Sequence, residues 1–156
     1  MSNYILTFAF AFILHLFLVD FLSIHGVRPD FFLIFVLYIG IREGHLWGVI
    51  TGFTIGLLSD LLGVSSHFGL SSLTYVIVGY GGGFLHKQHL RLEPLIFHIS
   101  WVLIVLIAFF VYVFFSDLVV GFGDYGLVWS KWIYTSIYTL GFLLILQPVV
   151  PLRKKQ

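Results

Sequence analysis

The chain has 156 residues, 60% of them apolar or aromatic, and carries 8 Lys+Arg against 7 Asp+Glu. Charged residues make up 10% of it, against roughly 25% in a soluble domain, too few to cover a globular surface. That excludes a soluble enzyme, a nucleic-acid binder and a disordered segment, and leaves an all-α integral membrane protein. With no Cys, disulfides, thiolate catalysis and Cys-based metal sites are also removed.

A membrane-crossing helix needs about 20 predominantly apolar residues. The first such segment is 4–22. Only the amino terminus supplies positive charge before it, and Ser23-Ile24-His25 makes a poor cleavage site, so it reads as a span and not a cleaved signal. The second, 29–41, is short: it reaches about 20 Å across a core of about 30 Å. Pro29 suits its first helical position, and Asp30 faces the positive end of the helix dipole. It is a short or tilted crossing, or else a re-entrant segment. The third runs over 45–63. The fourth, 68–85, contains Gly79, Gly81, Gly82 and Gly83 near its end, a run expected to fray or kink the helix. The fifth and sixth cover 94–116 and 132–150. The expected architecture is a compact six-helix transmembrane bundle in one domain, 1–156. The longest connection, 117–131, leaves no room for a soluble domain.

Lys and Arg near span ends set the orientation. With six spans and both termini in the cytoplasm, Arg42, Lys87, Arg91, Arg153, Lys154 and Lys155 lie inside, and Arg28 and Lys131 outside. Asp20, Asp30, Asp60, Asp117 and Asp124 then fall toward the outer face, with Glu43 and Glu93 inside. The carboxyl terminus stays inside even if 29–41 is re-entrant. Single-cysteine labelling is clean in a chain without native Cys. Cysteines at Ser2, Gln88 and Gln156 should be protected from an impermeant reagent in intact cells, and one at Gly123 labelled. Labelling at Gln88 or Gln156 overturns the orientation.

The most specific local feature is in the third segment. Gly44, Gly48, Gly52 and Gly56 recur every four residues, and Asp60 continues the series. Small residues at this spacing form one side of a helix and let another backbone approach closely. The ridge serves packing inside this bundle or docking of another chain's helix. A charge such as Asp60 costs roughly 2.5–3.5 kcal/mol at mid-bilayer and less toward the interface. It is a proton relay, a ligand or partner contact, or a carboxylate satisfied by Ser65, Ser66 or an amide of the fourth segment. The 117–131 connection mixes acids with Phe122 and Trp129, a composition suited, together with the outer end of the third segment, to contacting a partner where its helix leaves the membrane.

Other chemistry finds little support. The seven His lack metal-ligand spacing, and none pairs four residues apart beside a carboxylate. Gly69-Leu70-Ser71-Ser72 offers a serine without a supporting base signature, so Ser71 reads as a cap or packing residue. No catalytic group, metal site or cofactor is expected.

Pro29-Asp30, the apolar run ending near Tyr38, Gly44, Gly48, Gly52-Phe53, Gly56-Leu57-Leu58, Asp60, Gly69 and Gly79-Tyr80 together resemble the rod shape-determining MreD family. The six hydrophobic segments and the basic tail Arg153-Lys154-Lys155 agree. The resemblance implies a non-enzymatic scaffold of the bacterial cytoplasmic (inner) membrane, within the machinery that elongates the cell wall. It implies an MreC-like bitopic partner, and MreB filaments and a RodA-type synthase in the same assembly. It also implies a bundle similar to the substrate-binding components of energy-coupling-factor vitamin transporters. Fold alone does not give function. The rival reading is such a vitamin uptake component, with a cavity lined by Trp101, Trp129, Trp132 and Tyr125. Ala9 and Ala11 in the first segment have the wrong spacing for the Ala-x-x-x-Ala contact such components use.

Overall fold

A computed structural model of the chain describes residues 29–61, 68–88, 93–120 and 125–146. The expected first span, 4–22, lies outside them. Five α-helices are described: α1 (Phe31–Glu43), α2 (His45–Leu61), α3 (Leu70–Phe84), α4 (Pro94–Val120) and α5 (Tyr125–Leu146). Among the described residues there is no strand. Among the described residues, one helix is long and apolar enough to cross a membrane by length and composition, through Pro94–Ser116.

The short α1 is the centre of the packing. Every residue from Phe31 to Ile41 is buried. A helix that is hydrophobic all round has no solvent or lipid face to present, and burial on all sides is its stable solution. α2 and α3 pack on α1 and on each other, α4 packs on α3, and α5 pairs with α4 and touches α1. Phe31 meets Phe142 of α5 edge to face, with ring centroids 5.5 Å apart. The core continues through Val78 of α3, Phe97, Trp101 and Val105 of α4, and Leu143 of α5.

Outside this core the helices are apolar as well. Leu46, Trp47 and Phe53 of α2 and Leu95, Ile99 and Leu103 of α4 are all more than half exposed. In water such a surface would aggregate, whereas hydrocarbon is its natural solvent.

Three local expectations change. Pro29 is not the first helical residue. Asp30 is the N-cap, its Oδ1 accepting the Leu33 amide at 2.9 Å, and the helix starts one residue later. An aspartate that satisfies a free amide is a better start signal than a proline that merely lacks one. The glycine run of α3 does not fray, because the helix continues to Phe84 with Gly79, Gly82 and Gly83 buried against neighbouring backbones. The 117–131 connection is mostly helix. After Pro94 no Gly or Pro occurs before Gly121, so α4 continues to Val120, and α5 resumes at Tyr125.

A backbone seam and two buried carboxylates

The seam forms where α2 crosses α3. A Cβ added to Gly48 would collide with the Gly79 carbonyl, its carbon at 2.8 Å, and one added to Gly79 would collide with the Gly48 carbonyl in return. At Gly52 the obstacle is the Tyr75 peptide, with its carbonyl carbon at 2.7 Å; at Gly56 it is the Ser72 backbone, with the amide nitrogen at 2.6 Å. Real Cβ contacts essentially never come this close, and backbone cannot rotate away as a side chain can. The two helices thus touch main chain to main chain along three successive turns. Gly40 brings α1 into the same junction, where its Cβ would lie 2.6 Å from the Gly79 oxygen. This is the packing that small residues permit between helices in lipid, where dispersion and not water exclusion holds them together.

Gly44 has a different task from the rest of the ridge. It precedes α2 and ends α1, donating its amide to the Gly40 carbonyl at 2.9 Å, with φ at 92°. That left-handed backbone makes the corner between α1 and α2, and glycine adopts it without strain.

Asp60 lies at the far end of the ridge and is 7% exposed. Its Oδ2 accepts the Gly69 amide at 2.7 Å and the Ser72 hydroxyl at 3.4 Å, and its Oδ1 accepts the Ser71 amide at 3.3 Å. Gly69 is the N-cap position of α3, in left-handed backbone with φ at 91° and no cap of its own. A carboxylate from α2 therefore supplies the cap that α3 lacks, placing negative charge where the free amides and helix dipole favour it. Of the donors foreseen for Asp60, the amides are those at the start of α3. Ser65 and Ser66 lie outside the described residues.

Asp30 makes a second such joint. Besides capping α1, its carboxylate accepts the Tyr75 hydroxyl, 2.9 Å from Oδ1 and 2.8 Å from Oδ2. Its amide donates to Thr139 Oγ1 at 3.3 Å. Tyr75 is 3% exposed and Thr139 fully buried. One acidic residue thus ties α1, α3 and α5 together inside an apolar bundle, where each satisfied polar group is costly to remove. Pro29, also fully buried, leads the chain into this joint.

Residues that the sequence placed together are partly separated. Phe122 lies outside the described residues. Trp129 is 52% exposed, its ring 5.7 Å from Trp132 and 6.2 Å from Phe110. Trp132 donates its indole N–H to the Leu106 carbonyl at 3.1 Å. Trp101, by contrast, is buried in the core. Tyr75, Thr139 and the α3 half of the seam are functional residues that the glycine repeat of α2 does not reveal by itself. A signal was present: Ser71, Tyr75, Gly79 and Gly83 repeat the four-residue spacing of the ridge they face.

Helices joined main chain to main chain, carboxylates committed to capping, and an apolar exterior define a multi-pass membrane protein whose special residues hold helices together. The family model described as rod shape-determining protein MreD matches residues 1–153, and the chain belongs to that family. Its members are rod shape-determining proteins of the cell-wall elongation machinery, located in the cytoplasmic membrane, and it is not a known enzyme family. No curated protein and no solved structure matches the chain.

Proposed function

We propose that this protein is a non-catalytic scaffold of the elongation machinery. It holds the transmembrane helix of an MreC-like bitopic partner and so supports rod shape, with a RodA-type synthase and MreB filaments in the same assembly. The observation that carries the reading is the employment of Asp30 and Asp60. Both are engaged in capping and cross-linking helices, which is the chemistry of a rigid support. The glycine ridge from Gly48 to Gly56 is occupied by α3 of the same chain. A partner helix therefore has to dock elsewhere.

The aromatic side of the α4–α5 pair is the best remaining surface. Phe110, Phe114 and Trp129 are exposed there, and in the sequence Phe122 stands between the two helices. Large aromatic side chains dominate binding energy at protein contacts. Replacing Phe122 and Trp129 together by Ala should lower co-purification of the partner about tenfold or more. Cells should lose their rod shape at unchanged membrane abundance of the variant. Normal co-purification in rod-shaped cells would remove this surface from the interface. The vitamin-uptake reading gains no such support: Trp101 is in the core while Trp129 turns outward, so the aromatic residues offered for a cavity do not share one environment.

A further inference from the structure

One end of the bundle holds an arginine whose Nε has no acceptor. Arg42, in the last turn of α1, stacks its guanidinium on Tyr38, with Cζ 5.2 Å from the ring centroid. Its Nε is buried, and no hydrogen-bond acceptor reaches it. A buried donor of a charged group without an acceptor is rare in a native protein. Two of the carbonyls ending α1 already accept other donors. The Gly44 amide binds Gly40 O, and His86 Nδ1 lies 3.1 Å from Ile41 O. The Arg42 cation sits at the end of α1 that the helix dipole favours for positive charge.

The surroundings are cationic and interfacial. His86 bonds the residue before Arg42, and Lys87 follows His86, exposed and in left-handed backbone at φ 61°. That turn brings the Lys87 and Arg42 chain positions to the two sides of one hydrogen bond. His45 lies 3.0 Å through Nδ1 from Tyr80 O. A carbonyl can only accept, so Nδ1 is the donor in both contacts. Glu43, exposed, is the acid beside them. Next to His45 is an exposed aromatic group. Tyr80 and Phe84 pack on its ring at 5.0 and 4.5 Å, and Trp47 is 55% exposed. Aromatic residues beside Lys and Arg at a helix end are the pattern of a membrane–water interface.

We propose that Arg42 and Lys87 bind the phosphodiester headgroup of an anionic phospholipid in the leaflet facing this end of the bundle. The fixed guanidinium donates to the phosphate oxygens, Lys87 adds a second positive charge, and the acyl chains lie along Tyr80, Phe84 and Trp47. Arginine suits this because its planar fork matches phosphate geometry, and basic pockets between helices at a membrane surface hold such headgroups. The proposal needs only a membrane location and does not rest on the scaffold reading.

Native mass spectrometry of the full-length protein in neutral detergent, incubated with phosphatidylglycerol or phosphatidylcholine, tests it. Phosphatidylglycerol should be retained in preference. Arg42→Gln should lower its retention about tenfold, Arg42→Lys less, and Lys87→Gln by a smaller factor. Lys131→Gln, on α5, should change nothing. Thermal unfolding of each variant in the same detergent shows whether it is folded, and Arg42→Lys keeps the test open if Arg42→Gln is not. Equal retention of the two lipids, or retention by folded Arg42 variants equal to wild type, overturns the proposal. So does full displacement of phosphatidylglycerol by millimolar inorganic phosphate, which marks a free-anion site.

Discussion

Gly52→Leu will cost the protein its folded core, by about 3 kcal/mol or more. The first added carbon already meets the Tyr75 peptide, with the carbonyl carbon at 2.7 Å and the Val76 nitrogen at 3.0 Å. Ordinary overpacking is relieved by neighbouring side chains changing rotamer, at about 1–3 kcal/mol. Here the obstacle is main chain, so α2 and α3 must separate along their length. Separation also pulls Asp60 from the amides of Gly69 and Ser71, leaving α3 uncapped. The variant should show low membrane abundance, aggregation in mild detergent and loss of rod shape. Leu57→Ala, at a half-buried position off the seam, should be tolerated far better. Equal behaviour of the two would mean that α2 does not meet α3 through its glycines. A folded, abundant Gly52→Leu protein that has lost its partner would assign the ridge to docking.

Asp30→Ala should destabilise the bundle by about 2–4 kcal/mol. The lost cap of α1 accounts for about 1 kcal/mol. Stranding the buried Tyr75 hydroxyl adds about 1–3 kcal/mol, because the penalty for an unpaired buried group exceeds the net value of the bond it made. The second contribution has a distinctive sign. Adding Tyr75→Phe to Asp30→Ala should recover about 1 kcal/mol, since the stranded hydroxyl is gone. Tyr75→Phe in the wild type should destabilise, because it strips the Asp30 carboxylate of a donor. Unfolding temperatures of the four proteins in detergent make a double-mutant cycle. Additive effects would show that Asp30 and Tyr75 do not act as a pair.

Much of this was readable from residue spacing. Apolar runs located the described helices, and the four-residue glycine repeat marked the face of α2 that a backbone approaches. Its partner was hidden because the glycines of α3 were read alone. Gly79 in isolation weakens a helix, but opposite Gly48 it permits a contact no other residue allows. Asp60 was recognisable as a costly charge, yet its purpose depended on a bond to Gly69, nine positions further on. The link between Asp30, Tyr75 and Thr139 joins residues up to 109 positions apart, and no local pattern encodes that. The apparent 15-residue loop before Lys131 came from equating hydropathy with helix, whereas helices end at their stop signals, here near Gly121 and Gly123.

The burial of α1 on every side also constrains how the protein is made. Its 13 residues span about 20 Å, with Asp30 and Arg42 at the two ends, so as a nascent segment it is a poor candidate for lateral release into lipid. What retains it is the pair of helices that follow: α2, turned back on it at Gly44, and α3, which reaches Gly40 through Gly79 and Asp30 through Tyr75. Until α3 has left the ribosome, α1 has neither its seam nor its hydroxyl partner. Its insertion is therefore tied to synthesis of at least the next forty or so residues, through Phe84. Among the described helices, the one most enclosed by apolar neighbours is the one least able to enter the membrane by itself.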